Sequence, residues 1–138
     1  MISKFDLAKA LYDNAKTISD ANGFTLIADG EKYETDPKVG YVREFTLFGD
    51  DEPIGISDDS SDIQRGIYQL TIYTPKVQEG GKWKGLKDAE TYQAGFARGL
   101  QLTYNGQTVR IRNSSVAPTR SDDTHFMTVL SVRYSVIN

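Results

Sequence analysis

Gln64-Arg65-Gly66-Ile67-Tyr68-Gln69-Leu70-Thr71-Ile72-Tyr73-Thr74-Pro75 is the stretch from which the fold can be read. Tyr68, Leu70 and Ile72 fall on one side of an extended chain, and Gln69, Thr71 and Tyr73 on the other. That period of two marks a strand with one packed face and one exposed or partner-facing face. Pro75 closes it, because proline cannot donate to a ladder. Downstream, residues 76–85 read as a mobile loop holding Gly80-Gly81 and Lys82-Trp83-Lys84. Leu86, Ala89, Tyr92 or Gln93, and Phe96 then space a short helix that Gly99 would cap. Residues 100–104 and 107–112 flank Asn105-Gly106, the pair that suits a type I′ hairpin turn. After a second polar loop over 113–123, Phe126, Thr128, Leu130, Val132, Tyr134 and Val136 alternate through a closing strand.

Upstream, Ser3 with Asp6 three residues on opens a helix over 4–21, and Asn22-Gly23 ends it. Phe5, Ala8, Leu11, Tyr12, Ala15 and Ile18 recur at helical steps and predict its apolar face. Phe24 to Ile27 suits a short strand. Residues 41–48 form a better one, with Tyr41, Arg43, Phe45 and Leu47 against Val42, Glu44, Thr46 and Phe48, one side clearly apolar and one mixed. Residues 49–63 read as a long polar connection. They hold Asp50, Asp51, Glu52, Asp58, Asp59 and Asp62 and no basic residue. The sum is one α+β domain over 1–138: a mostly antiparallel sheet, two helices packed on one face, and long polar loops.

Composition narrows the class. At 138 residues the chain suits one core, and its 38% apolar and 25% charged shares are those of an ordinary globular domain. No apolar run approaches the roughly 18 residues of a membrane span, and Met1 to Asp6 lack a signal peptide's layout. With no cysteine there is neither a disulfide nor a thiolate metal site, which fits synthesis in a reducing compartment. A net charge of −3 speaks against a dedicated nucleic-acid binder.

The candidate chemistry is sparse. His125 is the single histidine, preceded by Asp122 and Asp123, so a general-base role is conceivable and a structural role the plainer reading. A histidine metal site needs further ligands. Asp58, Asp59 and Asp62 lack the glycine and closing glutamate of an EF-hand loop. The acidic residues of 50–62 are therefore expected to be solvated, or to face a partner or passing DNA. Gly80 to Gly85 lacks the phosphate-loop spacing. Trp83, between Lys82 and Lys84, either folds back on the core or anchors an interface. Arg110, Arg112 and Arg133 lie on outward strand positions, as ordinary solvated charges or as a basic stripe for a neighbouring subunit.

Residues 65–75, the glycine-rich loop, the helix ending in Gly95-Phe96-Ala97-Arg98-Gly99, the segments 100–106 and 109–111, and the loop with Pro118 before the last strand together resemble the tail terminator proteins of long-tailed bacteriophages. The likeness reaches back through the first helix and covers nearly the whole chain. It rests on glycines, a proline and alternating apolar residues. The resemblance implies a structural virion protein with no catalytic residue, metal or cofactor, made in the bacterial cytoplasm. It implies a homo-oligomeric ring, typically a hexamer, at the head-proximal end of the tail tube. Such a ring stops tube polymerisation and docks a head-completion or connector protein, while DNA passes through the lumen without specific binding and no membrane takes part. The alternatives are a neck or connector-completion protein and, from another class, a small ligand-binding or hydrolytic domain using His125.

Overall fold

The computed structural model describes residues 2–53 and 62–137, with backbone alone at 50–53, 62 and 137. The described residues form α1 (Lys4–Asn22), β1 (Leu26–Ile27), β2 (Tyr41–Pro53), β3 (Asp62–Pro75), α2 (Gly81–Gly95), β4 (Gln101–Tyr104), β5 (Gln107–Val116), β6 (Arg120–Ser121) and β7 (His125–Ile137). The strands make one sheet in the order β1-β2-β3-β7-β5-β4, and β6 pairs with β7 as well. Strand β1 runs parallel to β2, and every other pairing is antiparallel. This is the α+β architecture expected.

Both helices cover one face. Helix α1 packs on β4 and β5, and α2 on β3 and β7. Leu7, Leu11 and Ala15 of α1, with Ala89 and Tyr92 of α2, meet Tyr68, Leu70, Ile72, Val109, Ile111, Leu130, Val132 and Tyr134 in a continuous core. Burying aliphatic side chains of this size contributes about 1.5–3 kcal/mol each. The start of α1 follows its sequence signal: the Asp6 amide donates to Ser3 Oγ at 3.2 Å, and Gly23 ends the helix at φ 71°. The buried stripe, however, is Leu7, Ala10, Leu11, Ala15 and Ser19, rotated from the predicted one. Phe5 stays 68% exposed and meets Tyr104 edge-on.

Three predicted boundaries move. Residues 49–63 are not one connection, because β2 continues to Pro53 and β3 begins at Asp62 past an irregularity between Phe48 and Asp51. Residues 113–123 likewise contain the end of β5 and all of β6. Helix α2 starts at Gly81, so Lys82, Trp83 and Lys84 occupy its first turn rather than a mobile loop. It ends at Gly95 with Phe96 as its C-cap, and Gly99, at φ +87°, turns the chain into β4.

The glycines of α2 misled the reading because they allow contact rather than mobility. A Cβ on Gly85 would lie 2.8 Å from Thr128 Oγ1 and 2.9 Å from Thr74 Oγ1, and one on Gly95 would collide with Ile18. Gly81, Gly85 and Ala89 thus form a small-residue stripe at four-residue spacing, all buried, on which the helix sits close to the sheet. The two helices are joined by polar bonds as well. Ser19 Oγ donates to the Ala15 carbonyl at 2.7 Å, so the Tyr92 hydroxyl, 2.6 Å away, donates to Ser19. Asn14 Nδ2 donates to the Gly95 carbonyl at 2.9 Å.

Candidate assembly interface

The face of the sheet opposite the helices carries Phe45, Leu47, Ile67, Gln69, Thr71, Ser131, Arg133 and Ser135, by strand alternation and register. One end of it is covered. Tyr41 and Tyr73 stack at 4.4 Å, Tyr33 joins Tyr41 at 5.1 Å, and His125 meets both stacked rings edge-on. His125 is 1% exposed. Its Nε2–H donates to the Val39 carbonyl at 2.9 Å, and Nδ1 pairs with the Thr124 hydroxyl at 2.8 Å. Nε2 therefore ties the segment before β2 to the start of β7, while Nδ1 makes a local bond to its neighbour Thr124. Asp122 accepts the Thr124 and His125 amides, and those bonds hold its carboxyl below the ordinary range. This is a turn and an aromatic lock, without a free general base.

The rest of that face is open, and the apolar side of β2 points into it rather than into the core. The register explains why. Val42 pairs with Ile72 and Thr46 with Tyr68, so these positions share the helix-covered face, and Phe45 and Leu47 must project outward. Each is 43% exposed, and Phe48, toward the other face, is 42% exposed. Beyond Arg43, β2 has no neighbour on its outer side among the described residues, since β1 reaches only Val42 and Arg43. An unpaired edge with exposed apolar side chains is a template for another chain.

Toward β5 the register gathers arginines on the open face, among them Arg110 and Arg133 of the three singled out in sequence. Arg110 and Arg65 both stand opposite Ser135, and Arg133 stands opposite Asn113. Arg112 is the extra residue where the β5 register shifts, and its Nε donates to Ser135 Oγ at 2.7 Å. Arg98, which sequence reading missed because it follows a helix rather than lying in a strand, lines a pocket of about 290 Å³ with Arg110, Arg112 and Asn113. Among the described residues, the side chains of Arg98, Arg110 and Arg133 meet no carboxylate.

Trp83 is not part of this group. It is 71% exposed, so it does not fold back on the core, and Lys82 lies 5.8 Å from its ring centroid. Val77 nearby is 72% exposed. Lys84 instead pairs with Asp88 at 2.7 Å. From Arg65 to Pro75 the strand rises about 33 Å, so the arginine end and the Trp83 end are far apart. Of the acidic residues singled out, Asp50, Asp51, Glu52 and Asp62 lie on strand backbone, and Asp58 and Asp59 fall outside the described residues. Among the described residues no group of three or more acidic or histidine side chains could hold a metal ion, and no helix is long and apolar enough to cross a membrane.

Among the described residues the molecule is thus a helix-backed sheet with one open face, one open strand edge and several exposed arginines. The phage tail terminator family model matches residues 6–134, and the chain belongs to that family of phage tail structural proteins. One solved structure is similar to it with a TM-score of 0.77 at 16% identity, over 99% of this chain and 96% of the other, which shows a shared fold. No curated protein sequence matches the chain.

Proposed function

We infer that this chain is the subunit of a ring that caps the head-proximal end of the tail tube, stops its polymerisation and offers a docking face to a head-completion or connector protein, with DNA passing unbound through the lumen. The observation that carries this reading is the division of the surface. Helices cover one sheet face, while the other face and the β2 edge keep Phe45, Leu47, Phe48 and a set of arginines exposed. A ring subunit needs two different lateral faces, and the two sheet edges differ in chemistry. The exposed Trp83 and Val77 add a third surface at one end, suited to the tube or the connector. The hydrolytic alternative loses its base, since both nitrogens of His125 are engaged in structural bonds. The test is tube growth: the purified chain added to polymerising tail tube protein should halt elongation at one cap per tube. Tubes that lengthen equally at every dose would overturn the reading.

A further inference from the structure

We propose that successive copies of this chain join head to tail through opposite edges of the sheet: the open edge of β2 on one copy docks on the arginine edge, β4 with the start of β5, of the next. The proposal rests on the ring reading and names the surface that builds it.

Acidic and basic residues are segregated along the sequence. From Phe45 to Gln64 there are six acidic residues and no basic one, and from Thr91 to Ser121 four arginines and no acidic one. The first stretch includes the open part of β2, where Asp50, Asp51 and Glu52 follow the exposed Phe45, Leu47 and Phe48. The second includes β4, which pairs with β5 on one side and is the terminal strand of the sheet on the other. Beside it Arg98, Arg110 and Arg112 line the pocket, and no carboxylate lines it among the described residues. Within one copy the two edges stand at opposite ends of the strand order, separated by β3, β7 and β5. Acidic and basic edges of one chain so arranged are complementary between copies. A contact between unlike patches on identical subunits is heterologous and closes into a ring when the rotation permits. Opposite charge fixes partner and orientation, and the apolar side chains of β2 supply burial. Asp50, Asp51 and Glu52 are thereby assigned to the neighbouring subunit rather than to the lumen.

The chain has no cysteine, so single thiols report cleanly. Leu47→Cys and Gln101→Cys place one on each edge. Each variant is treated with a short bismaleimide, alone at high concentration and bound to tail tubes, beside light scattering of the untreated protein. Either variant by itself should give no covalent dimer, an equimolar mixture should give dimers only, and a chain carrying both should give a ladder that stops at the ring. Arg98→Glu with Arg110→Glu in the Gln101→Cys chain should cut the mixed dimer about tenfold or more, since like charges then face each other. Asp51→Arg with Glu52→Arg on the partner should restore it. Cross-linking of Leu47→Cys with itself overturns the proposal in favour of a two-fold contact. An oligomer in light scattering without mixed cross-links overturns the edge assignment and leaves the ring standing. A monomer under both conditions overturns both.

Discussion

Glu44 sits on the helix-covered face of β2, accepts the Asp29 amide at 3.1 Å and interacts with the buried Tyr68 phenol. Burial pushes the Glu44 carboxyl up, and burial first, then the Glu44 charge, pushes the Tyr68 phenol well up. For Glu44 the folded state holds the proton more tightly than the unfolded one. Its contribution is therefore most favourable below the unfolded value of about 4.3 and is lost as pH rises through the folded value. Glu44→Gln should accordingly melt higher than the parent at neutral pH, with the difference shrinking toward pH 4. Thermal unfolding across that range measures it, and a gain independent of pH would remove the electrostatic cause. His125 shows the other side of residue-scale reading. Its place before a strand was visible in sequence, but Val39, the group its Nε2 bonds, lies far upstream, and no local pattern points there.

At the scale of elements, the contact between α2 and the sheet depends on what its glycines lack. In an exposed helix interior, glycine to alanine stabilises by about 1 kcal/mol. At Gly85 the added methyl would press on Thr74 and Thr128, both buried, and overpacking of a tight core costs about 1–3 kcal/mol. Gly85→Ala should therefore lower stability in chemical denaturation, and an unchanged or raised midpoint would show that α2 can lift from the sheet. Gly66 plays a related part in β3. Its missing side chain lets the Tyr134 ring cross it, so that the Tyr134 hydroxyl donates to the Leu47 carbonyl at 3.0 Å. Burial pushes the Tyr134 phenol up, and Tyr92 to about 12, so both remain protonated donors at neutral pH.

For the molecule as a whole, surfaces of different chemistry are kept apart. The open edge of β2, the arginine-lined pocket beside β4 and the exposed Trp83 at one end lie at separate places on the chain. Trp83 is the single tryptophan, so its fluorescence reports on that end alone. Binding to the tail tube or connector should shift its emission to the blue and protect it from a soluble quencher. Unchanged emission and quenching in the tube-bound form would remove Trp83 from the axial contact.

The sequence by itself determined the elements with strong local signals. Ser3 and Gly23 bound α1, alternation from Gln64 to Thr74 and from Phe126 to Val136 marks β3 and β7, and Asn105-Gly106, with φ 51° and 81°, turns β4 into β5. These rest on neighbouring residues and need no distant partner. Only the tertiary structure decided what each alternating face meets. The apolar side of β2 was legible, but its direction was not, because a strand's two faces are equivalent until its register with β3 fixes which one the helices cover. The same holds for Gly81 and Gly85, which read as loop residues until the sheet lies against them, and for Arg98, which joins Arg110 and Arg112 only when the chain has folded back through β4.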